Sequence, residues 1–175
     1  MGEPIVEWLN QQQDLMVELL RDLVNIDSNS FDKAGVDRVG ARLTAFFDDN
    51  EIPHETIPLE EYGDAIRAVV SGGDGNQPIL LCGHRDTVFP TGEVEKRPFS
   101  IADGKAFGPG VADMKPGLVI NAFILAAFHK FGGHPNPLVG LFTGDEEIGS
   151  PASQDVITAE AEKARLAFNL SLIHI

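Results

Sequence analysis

The chain contains a short, wholly apolar run, Pro78-Ile79-Leu80-Leu81-Cys82, followed directly by Gly83-His84-Arg85-Asp86-Thr87. Runs of this kind are typical of strands that are buried on both faces of a sheet. A second such run, Leu138-Val139-Gly140-Leu141-Phe142-Thr143, is followed by Gly144-Asp145-Glu146-Glu147. Ligands bind at the carboxyl ends of strands in open α/β sheets, so the polar residues after both runs are candidates for a functional site.

Helical patterns lie on both sides of these runs. Apolar residues recur at helical spacing over residues 5–24, 36–47 and 118–128, and Ser153 is placed to cap a helix that extends to about Lys163. Further strands are predicted at Thr56–Leu59, Ile66–Val70 and Arg165–Leu170, and residues 87–110 are predicted as loop with at most a small hairpin. Strands that alternate with helices predict an α/β fold, with a mainly parallel or mixed sheet and helices on both faces.

The composition limits the classes of function. The chain has 175 residues and a formal charge of −14, which disfavours binding to nucleic acid or to an anionic membrane surface and suits metal cations. The hydrophobic content of 43% excludes disorder of the whole chain. The single cysteine cannot form an internal disulfide, and we find no membrane span or signal-peptide pattern. We therefore expect a cytoplasmic protein.

The first candidate for chemistry is the pair His84 and Asp86. A neutral imidazole is a good zinc ligand, and a carboxylate two residues further on can hold its other ring nitrogen. Taken alone, a histidine at a strand end is more often a structural residue, so this pair is weak evidence by itself.

The second candidate is the glycine-rich stretch at residues 108–117, which contains Asp113 and precedes a helix. A phosphate-binding loop fits poorly, because the stretch lacks the glycine and lysine spacing of such loops and Pro109 removes an amide donor. A simple turn, with Asp113 favourably placed near the start of the helix, remains an alternative.

The third candidate is the run of carboxylates at Asp145, Glu146 and Glu147. Three consecutive acidic groups repel one another unless cations compensate them. A solvated acidic turn is the alternative, although the apolar neighbours Phe142 and Ile148 count against it. Together, the three stretches offer one imidazole and several carboxylates, a mixed ligand set suited to zinc or a similar divalent ion. The sequence therefore predicts a metal site for hydrolysis, with two ions about 3.5–4 Å apart.

The same three stretches, at residues 83–88, 108–117 and 143–150, resemble a family of dizinc metallopeptidases. That family includes glutamate carboxypeptidase (carboxypeptidase G type), acetylornithine deacetylase, succinyl-diaminopimelate desuccinylase and aminoacylase. The resemblance runs from the first helix to about Leu170, and residues 86–90 are most similar to the glutamate carboxypeptidase branch. It implies a catalytic domain like those of the zinc exopeptidases.

The resemblance also implies a role for each matching residue. His84 would bind one metal ion, Glu147 the other, and Asp113 would bridge both, with a cis peptide bond after Asp113 in many relatives. Asp86 would hold His84 in place, and Glu146 would be the general base. The implied metal is Zn²⁺, two ions in each complete site, with Co²⁺ as a workable substitute.

The chain departs from the family near its end. Relatives carry a further acidic ligand about two dozen residues after the second glutamate, and Ser171 stands near that position here. A last histidine ligand, a dimerisation domain and the remaining strands lie beyond this length in the family. We therefore expect residues 1–170 to be the N-terminal part of a truncated catalytic domain. Residues 171–175 look foreign to the family, and we do not expect His174 to bind metal.

The function that the resemblance implies is metal-dependent amide hydrolysis by a glutamate carboxypeptidase-like exopeptidase. Its substrate would be a dipeptide or an N-acyl amino acid with a free carboxylate. Relatives commonly dimerise through a domain beyond this length, so a homodimer of the full-length protein stays open. Two alternatives stay open: an N-acyl-amino-acid deacylase similar to acetylornithine deacetylase, and a non-catalytic metal-binding fragment. Glu146 favours an enzyme, because a binding site alone has no need of a base beside a ligand. We expect the 175-residue chain on its own to be a poor or inactive hydrolase.

Overall fold

The computed structural model describes residues 2–75 and 77–171. The α-helices are α1 (Gly2–Asn10), α2 (Gln13–Val24), α3 (Lys33–Asp49), α4 (Glu93–Lys96), α5 (Lys115–Lys130) and α6 (Gln154–Ala161). The strands are β1 (His54–Ile57), β2 (Ala65–Val70), β3 (Ile79–His84), β4 (Ser100–Ala102), β5 (Lys105–Phe107), β6 (Leu138–Thr143) and β7 (Leu166–Asn169). His174 and the other tail residues of 172–175 lie outside the described ranges, as does Asn76. None of the helices in the described part of the chain is both long and apolar enough to span a bilayer.

Five strands form one mixed sheet in the order β1-β2-β6-β3-β7. Strand β3 pairs in parallel with β6 and with β7, whereas β2 is antiparallel to both β1 and β6. Strands β4 and β5 form a separate two-stranded hairpin, as the sequence predicts for residues 87–110. The prediction of an α/β fold with a mixed sheet is confirmed.

Helices cover both faces of the sheet. Helices α2, α3 and α5 pack on one face and build the main core, and the segment around α6 packs on the other face. The buried residues of the main core include Leu19, Leu23, Val39, Leu43, Phe47, Leu118, Phe123 and Phe142. The central strand β6 is buried at every position, which explains its continuous apolar sequence.

The prediction of one helix over residues 5–24 is wrong, because the chain turns at Gln11 and Gln12 and divides it into α1 and α2. The backbone amide of Gln11 donates to the carbonyl of Trp8, and the side chain of Gln12 donates to that same carbonyl. Trp8 then packs against the rings of Phe123 and Phe131. Tertiary contacts of α1 with α5 therefore override a helical pattern that continues through the turn.

Two smaller predictions also need correction. The strand expected at Thr56–Leu59 begins earlier and spans His54–Ile57. It ends before Pro58 because proline has no amide to donate to the ladder. Ser153 precedes α6 as expected, but its side chain does not cap the helix. Its hydroxyl donates to Asp145 instead, so it stabilises the acidic turn after β6.

Candidate metal centre

The carboxyl ends of β3 and β6 lie side by side and position the site. In their parallel register His84 is opposite Thr143, and the amide of Arg85 donates to the carbonyl of Thr143 at 2.9 Å. A short 3₁₀ helix, Glu146–Ile148, follows β6 at once. Two segments that are 60 residues apart in the chain therefore meet where Asp86 accepts a hydrogen bond from the amide of Glu146.

Three residues of different segments form a group that could hold a metal ion. One potential ligand atom from each of His84, Asp113 and Glu147 lies within 4.8 Å of the other two. Asp113 joins the group from the loop before α5, and the peptide bond from Asp113 to Met114 is cis. The structure thus brings together the three residues that the sequence marks as ligands, with Glu146 beside them.

His84 is enclosed by acidic groups. Its Nε2 atom lies 3.3 Å from Asp113 Oδ1 and 3.4 Å from Glu146 Oε2, and its Nδ1 atom lies 3.3 Å from Asp86 Oδ1. Burial lowers the pKa of His84, but the hydrogen bond and charge of Asp86 and the charge of Glu146 outweigh it and raise the pKa from 6.5 to about 9. The raised pKa of His84 favours the protonated imidazole when no metal ion is bound.

Asp86 is fully buried and connects the parts of the site. Its carboxylate faces the His84 ring, accepts the amides of Glu146 and Glu147 at 3.2 and 3.1 Å, and accepts the hydroxyl of Ser30 at 2.6 Å. Burial alone would raise the pKa of Asp86, but the hydrogen bonds from His84 and Ser30 lower it below the usual value. Asp86 is therefore an ionised acceptor, as an orienting partner of a ligand histidine must be.

The donor set fits a divalent metal ion such as zinc. Burial raises the pKa of Glu147, the charges of Asp113, Asp86 and Glu146 raise it further, and only His84 opposes them. Such crowding of carboxylates around one imidazole is relieved when a cation binds among them. One nitrogen and two carboxylate oxygens from separate residues match the ligands that zinc takes in hydrolases.

Two cavities flank the group. One of about 150 Å³ adjoins His84 and Glu146, and the other, of about 300 Å³, adjoins Asp113 and Glu147. The second cavity is otherwise lined by Val88, Phe89, Val111, Ala112, Gly108 and Gly110. Both cavities therefore open onto residues of the candidate metal site.

Ser171, which stands near the position of the additional acidic ligand in relatives, also reaches the site. Its hydroxyl donates to Asp113 Oδ1 at 2.8 Å. A neutral hydroxyl adds no negative charge to the ligand set, so His84, Asp113 and Glu147 remain the group that the described residues offer.

Two buried cations next to the site escaped the sequence analysis. Arg85 is fully buried between His84 and Asp86, and its guanidinium donates to the carbonyls of Val36 and Asp64. Burial lowers its pKa to about 10 against the attraction of nearby carboxylates, including Asp86. The position of Arg85 just after an apolar strand could have indicated its burial, because a charged residue at such a position needs buried hydrogen-bond partners.

Lys115, the first residue of α5, is buried as well. Its ammonium donates to the carbonyl of Ile26 at 2.8 Å, and burial lowers its pKa to about 7 against the attraction of Asp27. Lys115 thereby ties the loop that carries Asp113 to the segment after α2. No local pattern could reveal this contact, since the two partners are 89 residues apart.

The chain matches the model of the peptidase family M20/M25/M40 over residues 80–175. It is 32% identical over 157 residues to carboxypeptidase G2 of Pseudomonas sp. (strain RS-16), a match that covers 87% of this chain and 37% of that protein. It is 34% identical over 140 residues to acetylornithine deacetylase of Salmonella arizonae, which covers 75% of this chain and 36% of the relative. The chain thus spans little more than a third of the length of these curated relatives.

The fold agrees with solved structures. Human carnosine dipeptidase 1 superposes over 100% of this chain and 42% of its own length with a TM-score of 0.82 at 17% identity. An M20 family metallo-carboxypeptidase from Sulfolobus solfataricus superposes over 90% of this chain and 37% of its own, with a TM-score of 0.73 at 18% identity. The fold of this chain is therefore shared with the corresponding part of both solved structures. The chain belongs to the peptidase family M20/M25/M40, whose members act on peptide or other amide bonds and usually depend on zinc.

Proposed function

We propose that residues 1–170 supply the N-terminal part of the catalytic domain of a two-metal amide hydrolase, with a glutamate carboxypeptidase-like exopeptidase activity. The observation that carries the proposal is the convergence of His84, Asp113 and Glu147 within 4.8 Å, with the carboxylate of Glu146 beside them. The similarity to carboxypeptidase G2 supports the peptidase branch.

His84 and Glu147 would each hold one Zn²⁺ ion, and Asp113, between them, would contact both. Bound metal supplies two effects: it polarises the amide carbonyl and lowers the pKa of a water molecule. Asp86 keeps the His84 ring oriented, because its ionised carboxylate faces Nδ1 and leaves Nε2 directed toward Asp113.

Glu146 is the residue that we assign to proton transfer. Its side chain is 45% exposed, and its Oε2 atom lies 3.4 Å from His84 Nε2, so it reaches the site without being enclosed by it. In the proposed reaction Glu146 takes a proton from the attacking water and then gives it to the departing amine. The oxygen of the water first bonds to the amide carbon, and the C–N bond then breaks as the nitrogen takes the proton from Glu146, so the products are a carboxylic acid and an amine.

The substrate that we propose is a dipeptide or an N-acyl amino acid with a free carboxylate. The cavities on either side of the ligand group offer room for the parts that flank the scissile amide. The 34% identity to acetylornithine deacetylase favours an N-acyl-amino-acid deacylase as the second candidate. The ligand residues serve both reactions, so a comparison of products has to separate them.

The test compares Glu146→Gln with the wild type on two substrates, a glutamate-terminated dipeptide and an N-acetylated amino acid. It uses the full-length protein, because residues 1–175 alone are expected to be a poor or inactive hydrolase. We expect Glu146→Gln to retain Zn²⁺ binding and to lose hydrolysis by roughly 10²–10⁴-fold. Glu162→Gln, at an exposed carboxylate after α6, is the matched control and should behave as the wild type. Zinc binding by the wild type with no chelator-sensitive hydrolysis of either substrate would instead support the metal-binding alternative.

A further inference from the structure

The connection between α2 and α3, which we call the connecting segment (residues 25–32), lies along the polypeptide that leaves β3. Asn29 pairs with Thr87 in a parallel bridge, and the amide of Thr87 donates to the carbonyl of Ser28 at 2.8 Å. The side chain of Asn29 also donates to the carbonyl of Phe89 at 3.1 Å. The connecting segment therefore supports the backbone just after the candidate ligand histidine.

One side chain of the connecting segment reaches into the site itself. Ser30 is 2% exposed, and its hydroxyl donates to Asp86 Oδ2 at 2.6 Å. The same Oδ2 atom accepts the amide of Glu147, while Oδ1 accepts the amide of Glu146 and faces His84 Nδ1. The orientation of this one carboxylate thus couples the imidazole to the backbone that carries both glutamates.

We infer that Ser30 is a positioning residue for the metal group, acting through Asp86. This inference rests on the proposed function, since it takes His84 and Glu147 as ligands. A hydrogen bond to an ionised carboxylate is short and strong, and a buried carboxylate such as Asp86 is destabilised when one of its donors is removed. Without the hydroxyl, the Asp86 carboxylate can turn away from the orientation that serves His84 and the amides of Glu146 and Glu147.

The connecting segment also provides a matched control. Ser28 is 1% exposed, two residues before Ser30, but its buried hydroxyl has no hydrogen-bond partner among the residues that the structure describes. Ser28→Ala removes the same atom from the same segment without a change at Asp86. A difference between the two alanine variants therefore reports on the hydrogen bond and not on the loss of a buried hydroxyl as such.

The experiment measures metal binding, not turnover. The 175-residue chain and its variants Ser30→Ala and Ser28→Ala are titrated with Zn²⁺ by calorimetry, and the visible spectra of their Co²⁺ forms are recorded. We expect Ser30→Ala to weaken Zn²⁺ binding by roughly three- to ten-fold and to alter the Co²⁺ spectrum, a smaller effect than the loss of Asp86 itself, because Ser30 contacts the partner of His84 and not the ligand. Ser28→Ala should bind within about two-fold of the wild type, the scatter expected of a hydroxyl without a partner.

Ser30→Thr and Ser30→Val extend the test in case the alanine variant does not fold. These two side chains have nearly the same shape, and only threonine keeps the hydroxyl, so threonine should bind metal more tightly than valine. Equal affinities and spectra across wild type, Ser30→Ala and Ser28→Ala, or across the Thr and Val variants, would overturn the role of Ser30 while leaving the proposed function intact. A wild type that binds neither Zn²⁺ nor Co²⁺ would overturn both.

Discussion

Protonation of His84 should oppose metal binding at neutral pH, and the structure gives the size of the effect. The ring is 2% exposed, with Asp86 at 3.3 Å on one nitrogen and Asp113 and Glu146 at 3.3 and 3.4 Å from the other. Burial lowers the pKa of His84, but the hydrogen bonds and charge of Asp86 and the charge of Glu146 outweigh it and raise the pKa to about 9. A metal ion needs the neutral imidazole, so it has to displace a proton that these neighbours stabilise.

The magnitude follows from the competition between proton and metal. With a pKa of about 9, the protonated form exceeds the neutral one by roughly 100-fold at pH 7, so the apparent affinity is reduced by about that factor. The apparent affinity should then rise about ten-fold for each unit between pH 6 and pH 8. A histidine with the ordinary pKa of about 6.5 would leave the affinity almost constant above pH 7.5.

The assay is calorimetric titration of the metal-free chain with Zn²⁺ at pH 7.5, in two buffers with different enthalpies of ionisation. The difference in heat between the buffers gives the number of protons released, and we expect about one from His84. The pKa of Glu147 is raised too, so a proton on that residue can only increase the count. The variant Asp86→Asn should release fewer protons at the same pH, because the main group that raises the pKa of His84 is gone.

Release of less than about a third of a proton by the wild type at pH 7.5 would refute this reasoning, because it would mean that His84 is already neutral. An affinity that does not change between pH 6 and pH 8 would contradict it independently. Either result would show that the acidic neighbours do not hold the proton on the imidazole.

Three further outcomes are expected. Ser171→Asp places a carboxylate where the serine hydroxyl lies 2.8 Å from Asp113 Oδ1, and it should tighten Zn²⁺ binding on the order of ten-fold, whereas neutral Ser171→Asn should not. In urea unfolding, Leu118→Ala should lower the free energy of unfolding by about 2–5 kcal/mol, because this core side chain is 0% exposed. The control is Ile120→Ala on the same helix, which should cost no more than about 0.5 kcal/mol, because Ile120 is 45% exposed. Arg85→Met should cost about 2–4 kcal/mol in the same assay, because the backbone carbonyls of Val36 and Asp64 lose their buried donor. A loss below about 1 kcal/mol would show that these two hydrogen bonds are not needed.

Much of the fold follows from local patterns in the sequence. The apolar runs that became β3 and β6 are continuous because both faces of each strand are buried, and that requirement is visible residue by residue. Helical spacing likewise predicts the helix that became α5, while the turn residues of 87–110 predict only loop with at most a small hairpin, which the structure forms as β4 and β5. The break between α1 and α2 was missed, because the packing of Trp8 on Phe123 is set by a helix more than 100 residues further along the chain.

In the candidate site, too, some features follow from local sequence and others depend on contacts between distant residues. The three stretches that contain His84, Asp113 and Glu147 are visible in the sequence because they follow buried strands or precede a helix, and parallel strands place their carboxyl ends at one edge. The choice of these three residues as ligands within the stretches comes from the family resemblance. Their roles as ligands, like that of Glu146 as the base, stay predictions until metal binding is measured.

Local sequence therefore reports burial, periodicity and residue type within one element, and these were enough for the fold class, the family resemblance and the candidate ligands. The donor that holds Asp86, the charge on His84 and the buried contacts of Lys115 come from the folded chain. Hydrogen bonds and desolvation depend on which distant atoms surround a group, and Ser30 lies 56 residues from Asp86 in the sequence but 2.6 Å away in space.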